Sequence, residues 1–385
     1  MATRTEKMTI VVLAIVAMWM VLNTYHSYEQ AWHKPLGPAL KLATATKAPT
    51  QIGQVLIFTS TPESLEWMFT RSTAASIETS TPATNSCGLP PVMTLLAIGS
   101  DTRSDGYLYG LADTIRLVRI DTATPKIVVL EIPRDLWVEI PSIADNLKGQ
   151  DHEKLNQAYL YGNPGFGYSN EPAGGPGLLA HTLALNFGAQ IDHYVAINMQ
   201  TFVKVVDAVG GIDINLPETV DARTTTDANE RLLFVKGEEH LNGTRALTLA
   251  RVRIEGVFER ANNQDRVLCA LRKKLMNPET ITKIPNIIKS FQGAVQTDLS
   301  PAQLSQLTCL GTQIQPYQIH FISFPEQLFT GDRIYDPVFK KDVFIWDADF
   351  NQLRDYVDKF NRGEWSISAA SINPQTKSGA PINCQ

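Results

Sequence analysis

Three aspartates and two arginines close apolar runs in the pieces Gly99-Ser100-Asp101-Thr102-Arg103, Ala112-Asp113-Thr114 and Ile132-Pro133-Arg134-Asp135. Carboxylates beside guanidinium groups are the parts of a metal-bridged phosphate site. Mg2+ takes one or two carboxylates and completes its shell with substrate phosphate oxygens and water. Arginine forks grip phosphate bidentately and stay charged when partly buried. A surface salt bridge at strand ends is the plain alternative, because most exposed ion pairs contribute little.

Three strands are expected to position these residues. Val92 to Gly99 (VMTLLAIG) is a short apolar run, and in the next segment Ile115 and Leu117 point one way with Arg116 between them. Ile127 to Ile132 follows the turn-forming stretch Asp121-Thr122-Ala123-Thr124-Pro125-Lys126. A hairpin centred between Ala123 and Thr124 sets Asp113 opposite Arg134, to within about two residues of register. Asp101, Asp113 and Arg134 then share one sheet edge.

A second cluster lies downstream. Asn242-Gly243-Thr244 opens a helix through Ala250, and Arg251-Val252-Arg253 follows; two arginines at i and i+2 share a face where the chain is extended. Paired forks in that arrangement fit a pyrophosphate better than a lone carboxylate. In Glu259 to Lys274 (ERANNQDRVLCALRKK), Arg260, Asn263 and Gln264 continue at helical spacing into Val267, Leu268 and Leu271, so the polar first turn points inward. Arg266, Arg272 and Lys273, on other faces, read as solvated.

In order and spacing, the segments LLAIGSDTR, ADTIRLVRID, LEIPRDLWVEIP, EKLNQAY, GGPGLL, VVDAVGGIDINLP, LNGTRALTLARVR and ERANNQDRVL resemble the LytR-CpsA-Psr family over about residues 90 to 275. The resemblance implies a membrane-anchored phosphotransferase of the bacterial envelope. Such an enzyme binds a polyprenyl-pyrophosphate-linked glycan with Mg2+ and passes its phosphoglycosyl end to a peptidoglycan hydroxyl. It makes Asp101 and Asp113 the metal-associated acids. It makes Arg103, Arg134, Arg251, Arg253 and Arg260 the pyrophosphate contacts, with Gln264 following them, and Asp135 the residue that orients Arg134. Two positions depart from the common pattern, Leu111 and Asn263, where many members carry arginine. Arg116 or Arg119 could compensate, but both read more simply as strand residues facing solvent.

Phosphoryl transfer rests on positioning and neutralisation of the equatorial oxygens. The sequence leaves the proton acceptor open between Asp113 and Asp135. It also leaves open simple hydrolysis of lipid pyrophosphates, or catalysis-free binding of envelope glycan precursors.

The front of the chain suggests a location. Arg4 and Lys7 precede the 15-residue apolar run Met8 to Leu22, and extension through Asn23-Thr24-Tyr25 approaches the length of a tilted span. No small-residue cleavage site follows, so residues 1–25 read as an uncleaved signal anchor of a single-pass cell-membrane protein. The basic residues place the N-terminus in the cytoplasm and the catalytic domain outside. Residues 26–90, rich in Pro, Thr and Ser, read as an extended linker with an ordered stretch at Val55 to Arg71; residues 91–362 form the catalytic domain and 363–385 a flexible tail. The expected fold is α/β, a mixed central sheet sandwiched by helices (α/β/α), with an N-terminal transmembrane helix.

Four cysteines outside the cytoplasm imply disulfides; the expected pairs are Cys269 with Cys309 and Cys87 with Cys384, one of three connectivities. A greasy cavity for the prenyl chain is expected around helices at Leu178 to Phe187 and Met199 to Val209, although such helices are more often plain core. Gly174-Gly175-Pro176-Gly177 is either an anion site at a helix N-terminus or a turn. A helix from Pro301, a strand at Ile319 to Phe324 and a closing helix over Trp346 to Phe360 complete the reading. A net charge of -5 gives no broad basic surface, which argues against nucleic acid as a partner.

Overall fold

A computed structural model describes residues 19, 25–42, 86–102, 110–165, 167–224, 226–252, 257–281, 294–365 and 384. The strands are β1 (Val92–Ser100), β2 (Ala112–Asp121), β3 (Lys126–Glu131), β4 (Trp137–Glu139), β5 (His152–Lys154), β6 (His193–Asn198) and β7 (Ile212–Leu216). After them come β8 (Val220–Asp221), β9 (Leu233–Phe234), β10 (Gly237–Leu241), β11 (Val295–Thr297), β12 (Ile319–Ile322), β13 (Phe329–Asp336) and β14 (Lys341–Ala348). The helices that matter here are α1 (Leu155–Gly162), α2 (Gly174–Phe187), α3 (Met199–Ala208), α4 (Gly243–Leu249), α5 (Val257–Leu275), α6 (Pro301–Gln313) and α7 (Phe350–Arg362).

Six strands form one sheet in the order β11-β6-β1-β2-β3-β12. Strands β1, β2 and β3 are an antiparallel meander, β6 runs parallel to β1 and β12 parallel to β3, and β11 is antiparallel to β6. The sheet is therefore mixed. Strand β1 reads as nearly continuous apolar sequence because helices cover both faces. On one face Leu96, Ile98, Leu117 and Leu130 pack with residues of α1, α2 and α7 in the main core. The opposite face is shared. At one end Cys87, Leu89, Met93 and Ile120 meet Leu310 of α6; at the other, helices α3, α4 and α5 stand over the sheet on their own core of Val206, Ile214, Leu249 and Val267.

Helix ends obey local chemistry. Ser300 and Gln303 make a reciprocal capping box at the start of α6. Asn242 accepts the Arg245 amide at the start of α4. At the start of α2 the Glu171 carboxylate accepts the amide of the N-cap residue Ala173 at 3.3 Å, and the Gly174 to Gly177 segment is the first turn of the helix with no side-chain cap.

Several expectations are corrected. The closing helix begins later than expected, because Trp346 belongs to β14; its amide donates to the Asp135 carbonyl at 3.0 Å, which ties the β13–β14 hairpin to the Pro-Arg-Asp turn. Part of the expected linker lies against the domain, with the Leu36 amide on the Leu299 carbonyl at 3.1 Å and Tyr194 donating to the Pro38 carbonyl at 3.2 Å. The disulfides join Cys87 to Cys309 and Cys269 to Cys384, the reverse of the expected partners. Cys87, two residues before Leu89, lies in the same core beneath α6, which brings it to Cys309. Among the described residues no helix is long and apolar enough to cross a membrane. The run Met8 to Leu22, apart from Trp19, and the stretch Val55 to Arg71 lie outside the described residues.

A buried carboxyl pair fastens the hairpin. Glu153 of β5 and Asp336 at the end of β13 are both 0% exposed, and one oxygen of each lacks a hydrogen-bond donor. Burial and the neighbouring Asp336 push the Glu153 carboxyl up to about 8, so the pair holds a proton at neutral pH. A carboxyl raised on folding stabilises fully below its unfolded value, and the contribution is lost as pH rises through the folded value. Thermal stability should therefore fall as pH rises from about 5 to about 8 and level off above that, and Glu153→Gln should flatten that slope in a melting series. Peptide mapping without reductant should recover Cys87 with Cys309 and Cys269 with Cys384.

Candidate functional site

Gly99 pairs with Thr114 and Ser100 with Ala112, so Asp113 is the extra residue of a β-bulge. A bulge bends its strand and re-aims the side chain it carries. Just beyond, Asp101 exchanges contacts with Leu111: its amide donates to the Leu111 carbonyl at 3.1 Å, and its Oδ1 accepts the Leu111 amide at 2.7 Å. The β2–β3 ladder runs from Asp121 opposite Lys126 to Arg116 opposite Glu131, and continued by three residues it faces Asp113 with Arg134. These two side chains form an ion pair, half-buried on both sides. Arg134 is held in turn by Asp135, whose Oδ2 accepts from Nε at 3.2 Å while its Oδ1 accepts from Lys154 Nζ at 3.1 Å.

Helix α5 closes over this edge. Arg260 Nη2 donates to the Asp113 carbonyl at 3.2 Å, and Gln264 Nε2 donates to the Ala250 carbonyl at 3.2 Å, which joins α5 to the end of α4. The residue after that carbonyl is Arg251, which is exposed. Arg103 and Arg253 lie outside the described residues, so the expected i, i+2 fork lies there too.

Sequence reasoning missed a charged group beneath the helix. Arg116, read as facing solvent, is 3% exposed; it pairs with Asp265 and donates from Nη2 to Gln264 Oε1 at 3.2 Å. Burial opposes its charge, but Asp265 and Glu131 more than offset that and hold the guanidinium firmly protonated. Burial pushes the Glu131 carboxyl up to about 7, against the pull of Arg116 and Arg260. The signal available in sequence was Asp265 beside Gln264 and Glu131 three residues before Arg134. Arg119 is also buried, with Asp121 and the Asn361 carbonyl as partners. Asn263 is wholly buried and accepts from Arg266 at 2.9 Å, so position 263 faces the core. Arg266 and Arg272, read as solvated, both bond within the domain, whereas Lys273 is exposed.

Between sheet and helices lies a cavity of about 510 Å³. Its floor carries Ala97, Gly99, Thr114 and Val195; its roof carries Phe202, Leu247, Val267 and Leu268. Asp113, Arg116, Arg251, Arg260 and Gln264 also line it, while α2, expected to help build such a slot, lies wholly in the opposite core. Small side chains on the floor make the room: a methyl at Gly99 would sit 3.0 Å from Thr114 Cβ.

Among the described residues no group of three or more His, Cys, Asp or Glu could hold a metal alone. Asp101 and Asp113 each have one carboxylate oxygen in a hydrogen bond and one without a partner among the described residues. That donor set fits Mg2+, whose other positions would be filled by phosphate oxygens and water.

A mixed α/β domain with a greasy cavity on one sheet face, lined also by Arg116, Arg251 and Arg260, defines a class of site shaped for an amphiphile with an anionic head. Residues 70–352 match the LytR_cpsA_psr family model, and the chain belongs to that family. It is 33% identical over 216 residues to the TagU polyisoprenyl-teichoic acid–peptidoglycan teichoic acid transferase of Oceanobacillus iheyensis, covering 55% of this chain and 61% of that protein. With TagV of Bacillus subtilis, named for the same transfer, it shares 31% over 193 residues, 49% of this chain and 45% of that one. The chain thus spans roughly half of the length of these curated relatives. Among solved structures, B. subtilis TagV superposes with a TM-score of 0.54 at 25% identity over 71% of this chain and 97% of that one.

Filling the cavity tests its use. Ala97→Phe should weaken binding of a fluorescent prenyl lipid by about tenfold in a titration, with little change in melting temperature.

Proposed function

We propose that this chain transfers a phosphoglycan from a polyprenyl-pyrophosphate carrier to a hydroxyl of peptidoglycan or another envelope polymer. The observation that carries this reading is one cavity lined both by apolar side chains and by Asp113, Arg251 and Arg260. The names of TagU and TagV support it from outside the chain.

In this reaction the acceptor oxygen bonds to the phosphorus next to the sugar, the bridging P–O bond breaks, and polyprenyl phosphate leaves. The protein has to align the two oxygens and neutralise the charge between them. Arg251 and Arg260, in the cavity lining, hold the diphosphate oxygens, and Arg134, locked by Asp113 and Asp135, adds its positive charge beside them. Both oxygens of Asp135 are occupied by Arg134 and Lys154, and Asp113 gives one oxygen to Arg134 and keeps the other for the metal, so neither is a free proton acceptor and the loose transition state relies on weak base help. Mg2+ held by Asp101 and Asp113 would neutralise the leaving phosphate.

We place the domain outside the cell membrane, anchored by the apolar run Met8 to Leu22 with Arg4 and Lys7 in the cytoplasm. Two disulfides agree with an oxidising compartment.

The test incubates the full chain in vesicles with a polyprenyl-pyrophosphate glycan, Mg2+ and peptidoglycan fragments, with products read by mass spectrometry. Phosphoglycan should appear on the acceptor. Arg134→Ala should lower the rate by about a hundredfold or more, and chelation should abolish transfer until Mg2+ is restored. Free glycan phosphate would mean hydrolysis; intact bound lipid under every metal would mean a binder.

A further inference from the structure

Arg116 occupies the sheet wall of the cavity, opposite Ala97 on one neighbouring strand and Glu131 on the other. Building on the donor reading above, we propose that Arg116 is an additional anion-binding residue of this site, a cation within the cavity wall that contacts the diphosphate of the lipid-linked donor.

Three observations carry it. First, the guanidinium has five N–H donors, of which one is committed to Asp265 and one to Gln264. Its Nε is buried with no hydrogen-bond partner. That atom is also closed to contact from the cavity, so an acceptor entering there meets the remaining Nη hydrogens of Arg116.

Second, the balance of charge around it is positive. Arg116 and Arg260 are both at least nine-tenths buried and line the cavity together with Arg251, Asp113 is the one acid among the described lining residues, and Arg116 pairs with Asp265. Glu131, also beside them, is half neutral near pH 7 because of its burial. A dianionic head entering here meets more guanidinium than carboxylate.

Third, neither Leu111, two residues before Asp113, nor Asn263, next to Gln264, lines the cavity. Leu111 spends its backbone on Asp101, and Asn263 faces the core. Arg116 reaches the cavity from the strand that carries Asp113, and the small side chain of Ala97 opposite leaves space above it. Asp265 fixes the fork so that its free donors are presented without a search through rotamers. The link to Gln264 Oε1 also turns that amide, which makes Arg116 a positioning residue for Gln264.

The test titrates the full chain with farnesyl diphosphate and, separately, with farnesol, by calorimetry in detergent. Three proteins are compared: wild type, Arg116→Lys and the double variant Arg116→Met with Asp265→Asn, which removes both charges so that no lone carboxylate is left buried. The double variant should lose about tenfold or more in affinity for the diphosphate and keep its affinity for farnesol, while Arg116→Lys should fall between. Equal diphosphate affinity in all three would overturn the proposal. Parallel loss of both ligands would also overturn it, because Arg116 would then be a wall and nothing more. Wild-type protein that binds farnesol but not farnesyl diphosphate would refute the donor reading itself, a result separate from any effect of the variants.

Discussion

One ion pair organises the site: Asp113 in the bulge of β2 against Arg134 beyond the end of β3. It exists only because the β2–β3 ladder is in one register. That register is set at the far end, where Asp121 Oδ1 accepts the amides of Ala123 at 3.1 Å and Thr124 at 3.0 Å and so fixes the turn. A slip of one residue would send every side chain of β2 to the other face. The half-buried setting makes the pair sensitive to loss of either partner, since the remaining charge would be left poorly solvated.

The two faces of the sheet divide the labour. The face under α1, α2 and α7 is packed solid with Leu, Ile and Phe and anchors the strands. The other face is deliberately shallow in volume, with Gly99 and Ala97 leaving room for a cavity under α3, α4 and α5. Helix α5 then links the two functions: Val267 and Leu268 roof the apolar part, Gln264, one turn earlier, reaches Arg116 and the Ala250 carbonyl, and Arg260, two turns earlier, reaches the Asp113 carbonyl. Its far end is pinned by the Cys269–Cys384 bridge.

Much of this is legible in the chain. The D-T-A-T-P-K turn and its flanking strands set the hairpin centre, and with it the Asp113–Arg134 encounter. Caps at Asn242 and Ser300 mark α4 and α6. What sequence hides is governed by the third dimension. The bulge at Asp113 has no local signal, because an extra residue shows only against its partner strand. Arg116 looks solvent-facing because I-R-L reads as a half-buried strand, yet helices cover both faces here. Disulfide partners depend on which segments the folded core brings together, and Trp346 looked helical because apolar spacing alone cannot exclude an aromatic-rich hairpin.

The most direct measurement is a crystal structure of the chain with a prenyl diphosphate and Mg2+ bound. The account requires the prenyl chain between the sheet and helices α3 to α5, with the diphosphate bounded by Asp113, Arg251 and Arg260. A lipid seated elsewhere on the domain, or a diphosphate turned away from the Asp113–Arg134 pair, would contradict it.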